Sequence, residues 1–134
     1  MYIPFLITEE HKKIINNTIY KLPLKVNRLI DKKYLFFRYA PTNFPDKDEL
    51  AYFIHPRFIE INLDNPRIID GSGFQGAIVH EIAHFYIYHL SIKRKIMKLF
   101  IDKIPKELEE VWADNLTKKW GFEKELNIAK SPSL

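Results

Sequence analysis

From Gly73 to Leu90 the only side chain with a formal charge is Glu81. A carboxylate buried among apolar residues costs on the order of several kcal/mol unless something compensates it. Any fold open to this chain must therefore bring partners to that one point. The segment itself is predicted to be helical. Ser72 offers an N-cap with Gln75 three residues on, a capping-box pattern, and the helix should run through Leu90 or beyond.

Glu81 sits between two histidines in His80-Glu81-Ile82-Ala83-His84, an H-E-x-x-H. On a helix, positions four apart differ by about 40° in azimuth and one turn in height, so the two imidazoles project side by side and can share one cation. Glu81 lies about 100° from His80 and 60° from His84. It flanks the ion without having to bind it, where it can act as general base on water that the ion activates. Two neutral imidazoles hold zinc weakly, and a hydrolytic site usually has three protein ligands. His89 falls about 180° from His80 on the same helix and points away. A third histidine of the metzincin kind needs a helix-ending glycine, and none lies between positions 77 and 120.

The better third ligand is Glu110, with Asp114 four residues on in Glu110-Val111-Trp112-Ala113-Asp114. Glu110 would ligate, and Asp114 would accept the free ring N–H of a bound histidine, fixing its tautomer. The stretch from His84 to Glu110 is long enough to finish one helix, turn, and return antiparallel beside it. Leu108, Val111, Trp112, Leu116 and Trp120 are expected to form the buried stripe of that last helix, with Glu110 and Asp114 at its border. Glu109 has Ala113 rather than an acid four residues on and is set aside. Tyr88 and His55, the nearest candidates to stabilise an oxyanion, read as structural; Tyr86, Trp112 and Trp120 read as core.

Composition limits the alternatives. With 134 residues, 46% of them apolar, the chain is expected to form one domain spanning 1–134. The absence of cysteine excludes a disulfide framework, a thiolate site and a cysteine nucleophile, so any metal must be held by nitrogen and oxygen. A net charge of +4, spread over Lys-rich helices, gives little reason to expect nucleic acid. No apolar run approaches the ~20 residues of a membrane span, and MYIPFLITEEH lacks the pattern of a secretory signal. A cytoplasmic setting is expected.

The remaining elements follow from periodicity. A capped helix is predicted from about residue 9 to 21, and strands over Tyr34 to Tyr39, Leu50 to Ile54 and Phe58 to Leu63, with Val26 to Ile30 as a fourth candidate. In Phe58 to Leu63, alternation sets Phe58, Glu60 and Asn62 on a solvated face opposite Ile59, Ile61 and Leu63. A basic amphipathic helix is predicted from Ser91 to Ile104. The last helix starts around Pro105 and is closed by Gly121. The polar tail, 123–134, is expected to be flexible or to lie over the cleft, for instance as a self-inhibitory strand.

HEIAH followed by EVWAD resembles the gluzincins, zinc peptidases that carry H-E-x-x-H and a downstream E-x-x-x-D on a "glutamate helix". The likeness is strongest to their small single-domain members, the minigluzincins, and to the core of the CAAX-type membrane peptidases. It covers roughly residues 50 to 120, with strands, active-site helix and glutamate helix in the family's order. It implies an α+β zincin-like domain with a small mixed sheet, and a Zn2+ ion held by His80, His84 and Glu110. Glu81 would be the general base and Asp114 the outer partner of a bound histidine. It also implies an edge strand, LAYFI or FIEINL, that pairs with an extended peptide. The function so implied is a zinc metalloendopeptidase acting on a peptide or protein substrate. The alternative is a latent or catalytically quiet zinc-binding regulatory or interaction domain of the same fold.

Overall fold

Two short helices lead into the sheet. The computed structural model of the chain describes residues 9–39, 50–62, 71–93 and 106–130. Helix α1 (Glu9–Tyr20) opens on Glu9 and Glu10, which suit the positive end of a helix, and buries Ile15, Thr18 and Ile19. Pro23 then breaks the chain, and α2 (Leu24–Lys33) follows with Val26, Leu29 and Ile30 buried. The strand expected over Val26 to Ile30 is therefore part of a helix. The reason is visible in the spacing, since positions 26, 29 and 30 share one helical face. Asn27 ties the two helices together by donating from Nδ2 to the carbonyls of Ile19 and Leu22. Tyr34 ends α2 in the left-handed region, with φ 55°, and donates its N–H to the Ile30 carbonyl.

Strands β1 (Phe36–Tyr39), β2 (Ala51–Ile54) and β3 (Phe58–Ile61) form a mixed sheet in the order β1-β3-β2. β3 runs parallel to β1, pairing Phe36 with Phe58, and antiparallel to β2, pairing Phe53 with Ile59. β2 and β3 are joined by a tight turn through His55-Pro56, a cis peptide. One face of the sheet carries Phe37, Ile59 and Ile61, all fully buried.

The other face is not solvated as the alternation suggested, for Glu60 is 9% and Asn62 2% exposed. Phe36 and Phe58 stack there with centroids 5.7 Å apart. The Arg38 guanidinium lies 4.3 Å over the Phe58 ring while its Nε bonds Glu60 Oε2 at 2.8 Å, and Arg57 covers Phe36. Guanidinium groups that stack on aromatics and pair with a carboxylate cover a half-apolar face in place of water.

Helix α3 (Gly71–Lys93) packs against α1, β2, β3 and the two C-terminal helices. Phe74, Ile78, Val79, Ile82, Ala83 and Phe85 are fully buried along it. Ser72 lies inside this helix, not ahead of it as an N-cap. Helix α4 (Lys106–Lys119) returns beside α3 and ends in a left-handed Gly121, φ 94°. The Gly121 N–H bonds the Lys118 carbonyl and the Phe122 N–H the Thr117 carbonyl, the Schellman pattern that a C′ glycine permits.

Over its described residues the polar tail is not a strand. It forms α5 (Glu123–Lys130), which packs on α3 through the buried Leu126. Gly76 permits this approach, because a Cβ there would meet the Glu125 carbonyl oxygen at 2.2 Å. Buried side chains from Ile15 to Phe122 form one contiguous cluster, and the architecture is α+β. Among the described residues no helix is long and apolar enough to cross a membrane. The basic helix predicted over Ser91 to Ile104 falls largely outside the described residues, as does Pro105.

Candidate metal centre

α3 and α4 face each other where both carry ionisable side chains. The small, fully buried Ala113 and the buried Thr117, whose hydroxyl donates to the Ala113 carbonyl, form the close contact of α4. This turns Glu110 and Asp114 toward α3. Of the stripe expected on α4, Trp120 is buried and Leu116 packs against the core, whereas Leu108, Val111 and Trp112 point outward at 40, 51 and 36% exposure. Apolar periodicity misled over the first part of the helix, because the side turned to α3 there carries the small Ala113 and Thr117 with the acids Glu110 and Asp114 beside them.

His80, His84 and Glu110 converge. His80 Nε2 and His84 Nε2 are 3.2 Å apart; Glu110 Oε2 is 3.0 Å from the first and Oε1 2.9 Å from the second. The far nitrogens are backed by carboxylates, His84 Nδ1 by Glu109 Oε1 and His80 Nδ1 by Asp114 Oδ1, each at 3.0 Å. The His80–Asp114 approach is off the line of a good hydrogen bond, and neither atom has another hydrogen-bond partner among the described residues. Asp114 Oδ2 in turn meets Lys130 Nζ from α5. The imidazoles are nearly enclosed, at 14 and 11% side-chain exposure, whereas Glu110 at 43% marks the open side.

The electrostatics fit a site built for positive charge. Burial disfavours a charged His84, yet Glu110, Glu81 and Glu109 outweigh it and raise its pKa to about 9. Hydrogen bonds from His80 and His84 hold the Glu110 carboxyl well below the usual carboxylate range, more than offsetting its burial. When each ring directs Nδ1–H at its backing carboxylate, the two Nε2 lone pairs and the Glu110 oxygens all point at one another. Only a proton or a cation between them satisfies that arrangement.

The donor set fits zinc. Ligands about 2.0–2.1 Å from a tetrahedral ion stand about 3.3 Å apart. The donor separations of 2.9 to 3.2 Å are within a few tenths of an ångström of that value. Among the described residues two overlapping groups have donors within 4.8 Å of one another: His80, Glu81 and His84, and His80, Glu110 and Asp114.

Family models, curated proteins and solved structures yield no significant match to this chain.

Glu81 is buried, and its Oε1 accepts the Phe53 N–H of β2 at 3.2 Å. Sequence reasoning missed that contact, which only the docking of the sheet on α3 creates. It also set aside Glu109, which backs His84. Each ligand histidine needs a partner for its second nitrogen, and Glu109, about 100° from Glu110 on the same helix, is positioned to supply one. His89 is remote from the site, donating Nε2–H to the Pro56 carbonyl at 2.6 Å. Tyr88 and His55, from α3 and the β2–β3 turn, stack on each other with centroids 5.2 Å apart.

Proposed function

We propose that the protein is a zinc-dependent metallopeptidase of zincin-like architecture, similar to the gluzincins, that hydrolyses peptide bonds. The observation that carries this reading is the meeting of two Nε2 atoms from α3 and both carboxylate oxygens of Glu110 from α4 within 2.9 to 3.2 Å. His80, His84 and Glu110 would hold the ion, while Asp114 and Glu109 fix the two rings. When bound, zinc would polarise a scissile carbonyl and lower the pKa of water toward ~7.

Glu81 would take the proton from the attacking water and deliver it to the leaving amine. The Phe53 N–H orients its carboxylate for that task. An extended peptide substrate would lie along β2. Among the described strands β3 is paired on both sides, so it offers no edge, and FIEINL cannot serve as the docking strand. Among the described strands β2 is paired on one side, and the Phe53 N–H, turned toward Glu81, marks its other side as the one that faces the centre.

A second reading, a catalytically quiet zinc-binding domain, is favoured by the same Phe53–Glu81 bond, which occupies one oxygen of the base. One experiment separates the two. Zinc-loaded protein is incubated with a mixed peptide library, beside Glu81→Gln. Cleavage that disappears in the variant while zinc content stays at one ion per chain supports the peptidase. Full zinc occupancy without cleavage in either protein supports the quiet domain, and purified protein that takes up no zinc refutes both.

A further inference from the structure

The two histidines are backed unequally. Asp114, behind His80, shares its second oxygen with Lys130 Nζ. Glu109, behind His84, has no Lys or Arg ion pair among the described residues. A carboxylate that already holds an ammonium group on one oxygen is a weaker acceptor at the other, so it draws less on the ring N–H and leaves the opposite nitrogen a poorer electron donor.

The Lys130 side chain is half-exposed, but the helix that carries it is held in place. Lys130 is the last residue of α5, and α5 is fixed at three points. Gly121 sets its angle to α4 through the Schellman turn. Leu126 is buried beneath it. The backbone at Glu125 lies close enough to Gly76 of α3 that no Cβ fits between them. The C-terminal helix therefore brings a cation within reach of Asp114, behind His80.

Resting on the metal-centre reading above, we infer that Lys130 is a positioning residue that holds the zinc affinity of the centre below what its ligands and two backing carboxylates would otherwise give. It acts through Asp114 and touches neither the ion nor the ligand rings. Its removal frees Asp114 to accept fully from His80 and takes one positive charge away from the neighbourhood of a divalent ion. Both effects tighten binding.

The test is zinc affinity of the full chain, measured by competition with a chromophoric chelator, for the wild type, Lys130→Met and Lys130→Arg. The Met variant is expected to bind zinc roughly three- to tenfold more tightly, the span for one charge acting through an intervening carboxylate. The Arg variant should match the wild type. The Nδ1–H proton resonance of zinc-loaded His80 should move downfield in Lys130→Met, a signature that a merely structural role would not produce. Affinity unchanged or weakened in Lys130→Met overturns the inference and leaves the metal centre standing. A wild type that binds no zinc overturns both together.

Discussion

Replacing Gly76 with alanine tests how tightly the last helix is seated. An added Cβ would stand 2.2 Å from the Glu125 carbonyl oxygen, 2.4 Å from its carbon and 2.7 Å from the Leu126 nitrogen. All three are backbone atoms, so no rotamer change relieves the clash. To restore ordinary contact α5 must withdraw by about 1 Å, and a gap of that size forfeits a quarter to a half of the dispersion energy of the atoms that line it. Leu126 and Phe122, 2 and 5% exposed, are the side chains on that interface. If each contributes about 1.5–3 kcal/mol through burial, the loss is about 1–3 kcal/mol. Alanine recovers about 1 kcal/mol of helix propensity. The net expectation is a destabilisation of up to about 2 kcal/mol, read as a lower urea midpoint with unchanged slope. A higher midpoint would refute the close seating of α5 on α3, and with it the placement of the helix that carries Lys130.

The remaining expectations concern the centre. Glu110→Ala should abolish stoichiometric zinc binding, whereas Glu109→Gln should weaken it by about 10- to 100-fold, as loss of an outer partner does; equal effects from the two, by chelator competition, would mean their roles are misassigned. The pH dependence has a defined sign. His84 is raised from 6.5 to about 9, so its charge stabilises the folded, metal-free protein fully below pH 6.5 and that contribution is lost as pH rises through 9. Zinc must displace the same proton, so its affinity should rise about tenfold per pH unit up to about 9. A flat affinity profile between pH 6.5 and 8.5 would contradict this.

The parts of the centre legible in the sequence were those fixed by local geometry. Two histidines four apart on a helix stand side by side whatever surrounds them, and Glu110 with Asp114 repeats that logic on a second helix. α1, the three strands and the glycine that closes α4 were legible for the same reason, since each rests on neighbours in sequence. What escaped depended on contacts between elements. Val26 and Ile30 suit a strand by residue type, and only packing of Val26, Leu29 and Ile30 into one core decides for α2. Trp112 looks buried by size, yet α4 approaches α3 through Ala113 and Thr117, and the tryptophan faces outward. Glu60 looked solvated because Arg38, two positions from the start of another strand, was not in view as its partner. The tail gave no sign that Gly76 had been left bare to receive it.

The guanidinium cover on the second face of the sheet has a consequence for the size of the domain. Three short strands need both sides shielded, and the usual solution is a further layer of helix or sheet. Among the described residues two arginines spread over two phenylalanines perform that task. Such a shield keeps its planar groups in contact with water at the rim while drying the rings beneath. The sheet can thus remain a thin outer wall, and α3 with its ionisable cluster stays close to the surface, within reach of molecules arriving from solution.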